Sequence, residues 1–255
     1  HKKDMAVEIH PLKQFEIKEV GNVNFGLFEV ALTNQAIWTM ATTALLSVLL
    51  IWASRGRQMV PGNAQNVLEV VWTFVEGMIT DNTGKKGLKY FPFVFTLFLF
   101  ILVANVSGMV PGSYTSTSQI TITAAFAVLV FLMVWVVGFM NHGLKFLKIF
   151  APEGVPKPLL LLLVPLEIIS FFARPLTLSV RLMANMLAGH ILLKVFAGFA
   201  VMLISSLGVV GILGALLPGV MLVAISALEI FVALIQAFIF ALLTCVYLND
   251  AINLH

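Results

Sequence analysis

The chain has 255 residues, 60% of them hydrophobic, with a mean hydropathy of +1.02 and only 11% charged side chains. A soluble domain carries about twice that charged fraction, so this composition describes an integral membrane protein instead. The net charge of +3 lies in short loops beside apolar runs, where it sets orientation and makes no nucleic-acid patch, and the single cysteine, Cys245, excludes an internal disulfide or a thiol metal site.

Residues 1–28 are mixed polar and charged, punctuated by Pro11, Gly21 and Gly26, and read as an N-terminal arm with one short amphipathic turn. Segment 1–20 has no signal-peptide pattern. The first membrane segment is 30–53, with Trp38 and Trp52 as interface anchors and Arg55 and Arg57 directly after it. Pro61 and Gly62 break the chain before 63–80, where Val67, Val70, Val71, Phe74, Val75 and Met78 recur at helical spacing opposite Glu69 and Glu76. That is the pattern of a helix lying on the membrane surface. A crossing there would put Arg55 and Arg57 on the opposite side from Lys85, Lys86 and Lys89, against the positive-inside rule.

No charge occurs between Tyr90 and Asn141, a stretch that holds a second span over 91–110 and a third over 118–140, joined by a turn at Pro111 and Gly112. Lys145, Lys148 and Lys157 follow, so all eight basic residues from Arg55 to Lys157 fall on one side, cytoplasmic or matrix, with the N-terminus on the other. Residues 158–205 are interrupted only by Pro165, Pro175 and Gly189. Two packed crossings would fit, but one long, bent or tilted helix avoids a charged turn within hydrocarbon. Gly208, Gly211, Gly214, Pro218 and Gly219 form the next break, and the last helix covers about 220–249. The expectation is an all-α membrane protein of about five embedded helices with a surface amphipathic helix 63–80. After the arm, 29–255 forms one membrane domain that ends in a long antiparallel hairpin, 158–250, with the C-terminus on the basic side. Internal repeats of the sort secondary transporters show are not visible.

The stretch 165–190, PLEIISFFARPLTLSVRLMANMLAGH, sets Glu167, Arg174, Arg181 and His190 in otherwise apolar sequence. Ionisable groups there line a bundle interior or an aqueous path. Arg181 cannot give up its proton and must be met as a charge. On a helix it shares a face with Asn185, while His190 lies about 13 Å along and roughly opposite. Arg174, beside Pro175, suits a headgroup or structural pair better. In the last helix, Glu229 and Gln236 are seven residues apart on one face, with Tyr247 close to that stripe and Asp250 slightly off it.

Antiparallel packing of the last two helices brings Glu229 and His190 close enough to share a proton, or to fix the helix pair as a buried ion pair. Asn185 and Gln236 could equally bridge helices. Lys194 reads first as a snorkelling side chain and Tyr247 first as an aromatic-belt residue, and each is also a candidate for an aqueous path. Asn105, Ser107, Tyr114, Ser118 and Gln119, with Thr115, Ser116, Thr117 and Thr121, make the non-basic end of spans two and three polar. They could wall a water-filled entrance or satisfy loop backbone. No acid of the chain's own stands out as the counter-charge to Arg181. Its carboxylate would therefore come from another protein, and a protonated acid brought to a fixed cation tends to release its proton.

The stretch RPLTLSVRLMANMLAGH, with ALIQAFIFALLTCVYLND, PGNAQNVLEVVWTFVEGM and KYFPFVFTLFLFILVANVSGMVPG, closely resembles subunit a of F-type ATP synthases, called subunit 6 in mitochondria. The resemblance covers almost the whole chain. It implies that Arg181 is the essential stator arginine, that Asn185 faces a ring of c subunits, and that Glu167, His190, Glu229 and Gln236 belong to the half-channels and the ring interface. It also implies two long tilted helices around that ring, and no cofactor. The partners would be the c-subunit ring and b-type peripheral stalk subunits. Some bacterial members carry a carboxylate at the position of His190 and an imidazole at that of Glu229, and the arrangement here resembles alphaproteobacterial and mitochondrial members. The membrane would be a bacterial inner membrane or, second, a mitochondrial one. The expected function is a non-catalytic stator channel that couples proton flow to ring rotation and ATP synthesis, with about 2.3 kcal/mol per proton from 100 mV. A self-contained transporter and an assembly scaffold are the competing readings.

Overall fold

A computed structural model describes residues 19–24, 29–54, 62–110, 115–150 and 157–253. The expectations for residues 1–18, the basic residues Arg55 and Arg57, the turn at Pro111 and Gly112, and Tyr114 lie outside these residues. The described chain begins with two strands, β1 (Glu19–Asn24) and β2 (Glu29–Thr33), paired antiparallel with an irregularity between Glu19 and Gly21. The sequence predicts an arm with one turn and the start of a span over these residues, and the structure has a hairpin instead. The β-branched residues of EVALT favour extended backbone, and helix α1 (Asn34–Ser54) starts where the Thr33 hydroxyl accepts the Ala36 N–H at 3.3 Å.

Helix α2 (Asn63–Thr83) leads through a 3-10 segment, Lys85–Tyr90, into α3 (Phe91–Gly108). A short 3-10 turn, Ser116–Ser118, precedes α4 (Ile120–His142), and a second, Gly143–Phe150, follows it. Two long helices complete the chain, α5 (Lys157–Leu207) and α6 (Val209–Ile252). Among the described residues, five helical segments are long and apolar enough to cross a membrane: Asn34–Ser54, Lys85–Gly108, Ile120–Leu147, Pro158–Leu207 and Val209–Ile252. Helix α2 is not one of them.

The expected broad break over 208–219 contracts to one residue. Gly208 has φ +57°, a left-handed backbone that favours glycine, and its N–H closes on the Ile204 carbonyl at 3.1 Å. Gly211, Gly214, Pro218 and Gly219 are already helical, so α6 begins eleven residues before the expected 220. At Gly211 glycine serves close approach and not a turn: a Cβ would run into the Leu203 carbonyl oxygen.

The core lies between α3, α4 and the second half of α6. Helix α6 turns Ala233, Ala237, Ala241 and Cys245 inward at four-residue intervals, and side chains this small let a neighbouring backbone come near. Phe131, Trp135 and Phe139 of α4 pack with Phe146 and Phe171, and Gly138 is bare because a Cβ would meet the Phe146 ring. Helix α5 buries one stripe, Phe171, Leu178, Leu182, Met186 and His190, and leaves Leu161, Leu162, Ile169 and Leu176 uncovered.

Candidate functional site

The buried stripe of α5 ends at His190, and the small-residue line of α6 is headed, one turn before Ala233, by Glu229. The two meet: His190 Nδ1 is 3.4 Å from Glu229 Oε1, with the residues only 8% and 4% exposed. The carboxylate fits because Gly189 has no side chain, since a Cβ there would stand 2.8 Å from Glu229 Oε1. Both Glu229 oxygens are buried without a hydrogen-bond partner among the described residues. The 3.4 Å approach is thus a contact across which a proton can be passed, longer than a closed hydrogen bond. On its other side the imidazole is fixed, Nε2 lying 2.8 Å from Thr115 Oγ1.

Arg181 lies on the other side of α5. It is exposed, Asn185 one turn on is half-buried, and their neighbours Val180, Ala184 and Ala188 are also exposed. Among the described residues Arg181 makes no ion pair and no hydrogen bond. The two polar faces read from the spacing are therefore distinct: an inward one holding the imidazole and an outward one holding the fixed cation.

Glu167 is drawn to Arg174, with Oε1 3.8 Å from Nη2. Arg174 Nη1 donates to Asp250 Oδ2 at 2.8 Å, and the guanidinium sits 5.2 Å from the ring centre of Tyr247 and 5.6 Å from that of Phe171. This half-buried cluster ties α5 to the end of α6, the structural pairing expected of Arg174. It places Tyr247 under a cation.

The remaining polar candidates are spread over α3, the connection between α3 and α4, α5 and α6. Asn105 of α3 is fully buried and donates Nδ2 to the Ala233 carbonyl at 3.4 Å, while its Oδ1 has no partner among the described residues. The Thr117 hydroxyl is buried in the same state. Ser107 donates to the Ala104 carbonyl at 3.1 Å and Ser118 to that of Thr115 at 2.6 Å. Gln119 caps α4, its carbonyl accepting the Thr123 N–H at 3.3 Å. Lys194, half-buried, is one turn beyond His190, and Gln236 is buried with no hydrogen bond among the described residues. Tyr114 lies outside the described residues. Among those residues no three His, Cys, Asp or Glu side chains come together as a metal would require.

Two contacts were not singled out in the sequence. Thr115 appeared only as one hydroxyl of a polar run, and Ser179, two residues before Arg181, meets Thr123 of α4 at 3.2 Å. Neither has a local signal, since each joins residues more than fifty positions apart.

Residues 36–249 match the family described as ATP synthase A chain. The chain is 49% identical over 248 residues to ATP synthase subunit a of Mesorhizobium japonicum, covering 97% of this chain and 98% of that one. It is 50% identical over 243 residues to ATP synthase subunit a of Allorhizobium ampelinum, with 95% and 97% covered. To ATP synthase subunit a 1 of Brucella anthropi it is 51% identical over 243 residues, with the same coverage.

Proposed function

The chain belongs to the ATP synthase A chain family, as a membrane-embedded, proton-conducting stator component that is not catalytic alone, and we propose how its residues perform that task. Protons enter through one aqueous half-channel, pass His190 and Glu229, and neutralise a carboxylate of a c-subunit ring that turns against the outer face of α5 and α6. The neutralised acid travels through lipid. On reaching Arg181 it loses its proton into a second half-channel on the opposite side, because an ionised acid beside a fixed cation is favoured over a neutral one. Arg181 also blocks a direct leak between the two half-channels, as it cannot act as a neutral relay.

One observation carries this reading: Arg181 is exposed and unpaired among the described residues, one helix face away from a buried imidazole and carboxylate. A permanent charge in a membrane helix needs a counter-charge, and the one acid of α5, Glu167, is engaged with Arg174. Asn185 extends the arginine's face toward the ring. Glu167, Gln236, Lys194 and Tyr247 belong to the walls of the aqueous routes, and Asn105, Ser107, Tyr114, Ser118 and Gln119 to the entrance on the non-basic side. Helices α5 and α6 form a tilted antiparallel hairpin around the ring, α2 lies on the membrane surface, and b-type peripheral stalk subunits hold the chain still. The membrane is a bacterial inner membrane, with the C-terminus on the cytoplasmic side.

Replacing Arg181 by Gln or Lys in the assembled synthase tests the reading. ATP-driven proton pumping should be abolished while the complex still assembles. Loss of assembly, or pumping at the original rate, would contradict it.

A further inference from the structure

We propose that Thr115 is a positioning residue for proton transfer at the buried pair, its hydroxyl holding the His190 ring with a hydrogen on Nε2 so that Nδ1 trades a proton with Glu229. This rests on the relay assigned above to His190 and Glu229. Three contacts follow one another: the Gly108 carbonyl oxygen to Thr115 Oγ1 at 3.0 Å, Thr115 Oγ1 to His190 Nε2 at 2.8 Å, and His190 Nδ1 to Glu229 Oε1 at 3.4 Å.

A carbonyl only accepts, and a hydroxyl owns one hydrogen. Were that hydrogen turned toward Nε2, the Thr115 and Gly108 oxygens would face each other at 3.0 Å with only lone pairs between them. Donated to Gly108, it leaves Oγ1 an acceptor, and the 2.8 Å contact is then filled by Nε2–H. Nδ1 bears a hydrogen only when the ring holds a second proton. The proton at the third contact is therefore the mobile one. Transfer breaks Oε1–H of a neutral Glu229 carboxyl and forms Nδ1–H, leaving a carboxylate facing an imidazolium; the reverse step restores two neutral groups.

Thr115 is held so that it can do this. It is 4% exposed, and its own carbonyl accepts the Ser118 N–H at 3.1 Å and the Ser118 hydroxyl at 2.6 Å. Its methyl side rests where Gly108 leaves space, a Cβ at 108 falling 2.6 Å from Thr115 Cγ2. The seat belongs to the connection between α3 and α4, and the ring it orients belongs to α5, so the loop sets the chemistry of the helix interface.

The test uses the assembled synthase in vesicles, reading passive proton flux together with the nitrogen NMR signals of His190 at a pH where the ring is neutral. Thr115→Val keeps the shape and removes the acceptor. It should lower flux by about tenfold, a part of the roughly 10²–10⁴-fold that a positioned acid or base contributes, and the ring should lose its single Nε2–H form. Thr115→Ser should keep that form and recover most of the flux. Gly108→Ala is the second variant: it displaces Thr115 without altering the hydroxyl and should disturb the same signals. An unchanged ring form in Thr115→Val, or loss in Thr115→Ser equal to that in Thr115→Val, overturns the proposal and leaves the relay standing. An altered ring form with unchanged flux overturns both.

Discussion

In the proposed relay, His190 and Glu229 are where single atoms decide proton flow. Replacing Glu229 by Gln keeps volume and removes the exchangeable acid, so passive flux through the assembled membrane sector should fall by about a hundredfold, within the range a positioned acid or base supplies. The same loss is expected for His190→Ala. Normal flux in both variants would remove the relay. Gly189 gives a subtler case, since a methyl there would stand 2.8 Å from Glu229 Oε1. Gly189→Ala should displace the carboxylate and slow flux while the complex assembles, and wild-type flux would show that the 3.4 Å approach to His190 is not needed. Much of this site was legible in the sequence. An arginine, a histidine and a glutamate inside apolar helices are costly enough to stand out, and helical spacing alone put Arg181 and His190 on opposite faces. Thr115 was not legible, because a threonine in a hydroxyl-rich turn looks the same whether it bonds loop backbone or, as here, an imidazole 75 residues away.

At the scale of elements, α5 and α6 are held by a one-residue turn at one end and an ion pair at the other. The Leu203 carbonyl occupies the place a Gly211 side chain would need, and a backbone oxygen cannot swing aside as a side-chain tip can. Gly211→Val is therefore expected to destabilise the helix pair by about 1–3 kcal/mol or more, read as a loss of assembled complex. Full assembly of that variant would contradict the close approach. At the far end, Asp250→Asn removes the charged partner of the 2.8 Å bond to Arg174 and should lower stability by about 2 kcal/mol in thermal unfolding of the complex. Two packed crossings also fitted 158–205, but they would have needed a charged turn within hydrocarbon, and one long α5 avoids it. The start of α6 did not follow from the sequence. Glycine and proline mark breaks in water, but in α6 the glycine that faces α5 serves packing, and of the glycines from 208 to 219 Gly208 alone adopts a left-handed backbone. The small hairpin of β1 and β2 was hidden for a different reason: a short β-branched run next to a helix start has no periodicity of its own.

In the molecule as a whole, the polar groups divide by direction. His190, Glu229, Asn105, Thr115 and Thr117 are buried inside the bundle, whereas Arg181 stands on a face that the chain leaves bare. That division suits the proposed stator: the groups proposed to conduct are enclosed by the chain's own helices, and the arginine proposed to meet a moving acid is open to it. Uncovered Leu, Ile and Phe side chains also occur along α5 and α6, surface that a ring of helices or lipid would cover. The distance from the Arg181 guanidinium to the nearest ring carboxylate, measured in a structure of the assembled synthase, tests this most directly. A ring carboxylate within direct or single-water reach of Arg181, with separate water-filled routes to the two membrane surfaces, is the expected result. An Arg181 that points into lipid, or is neutralised by an acid of its own chain and remote from the ring, would contradict it.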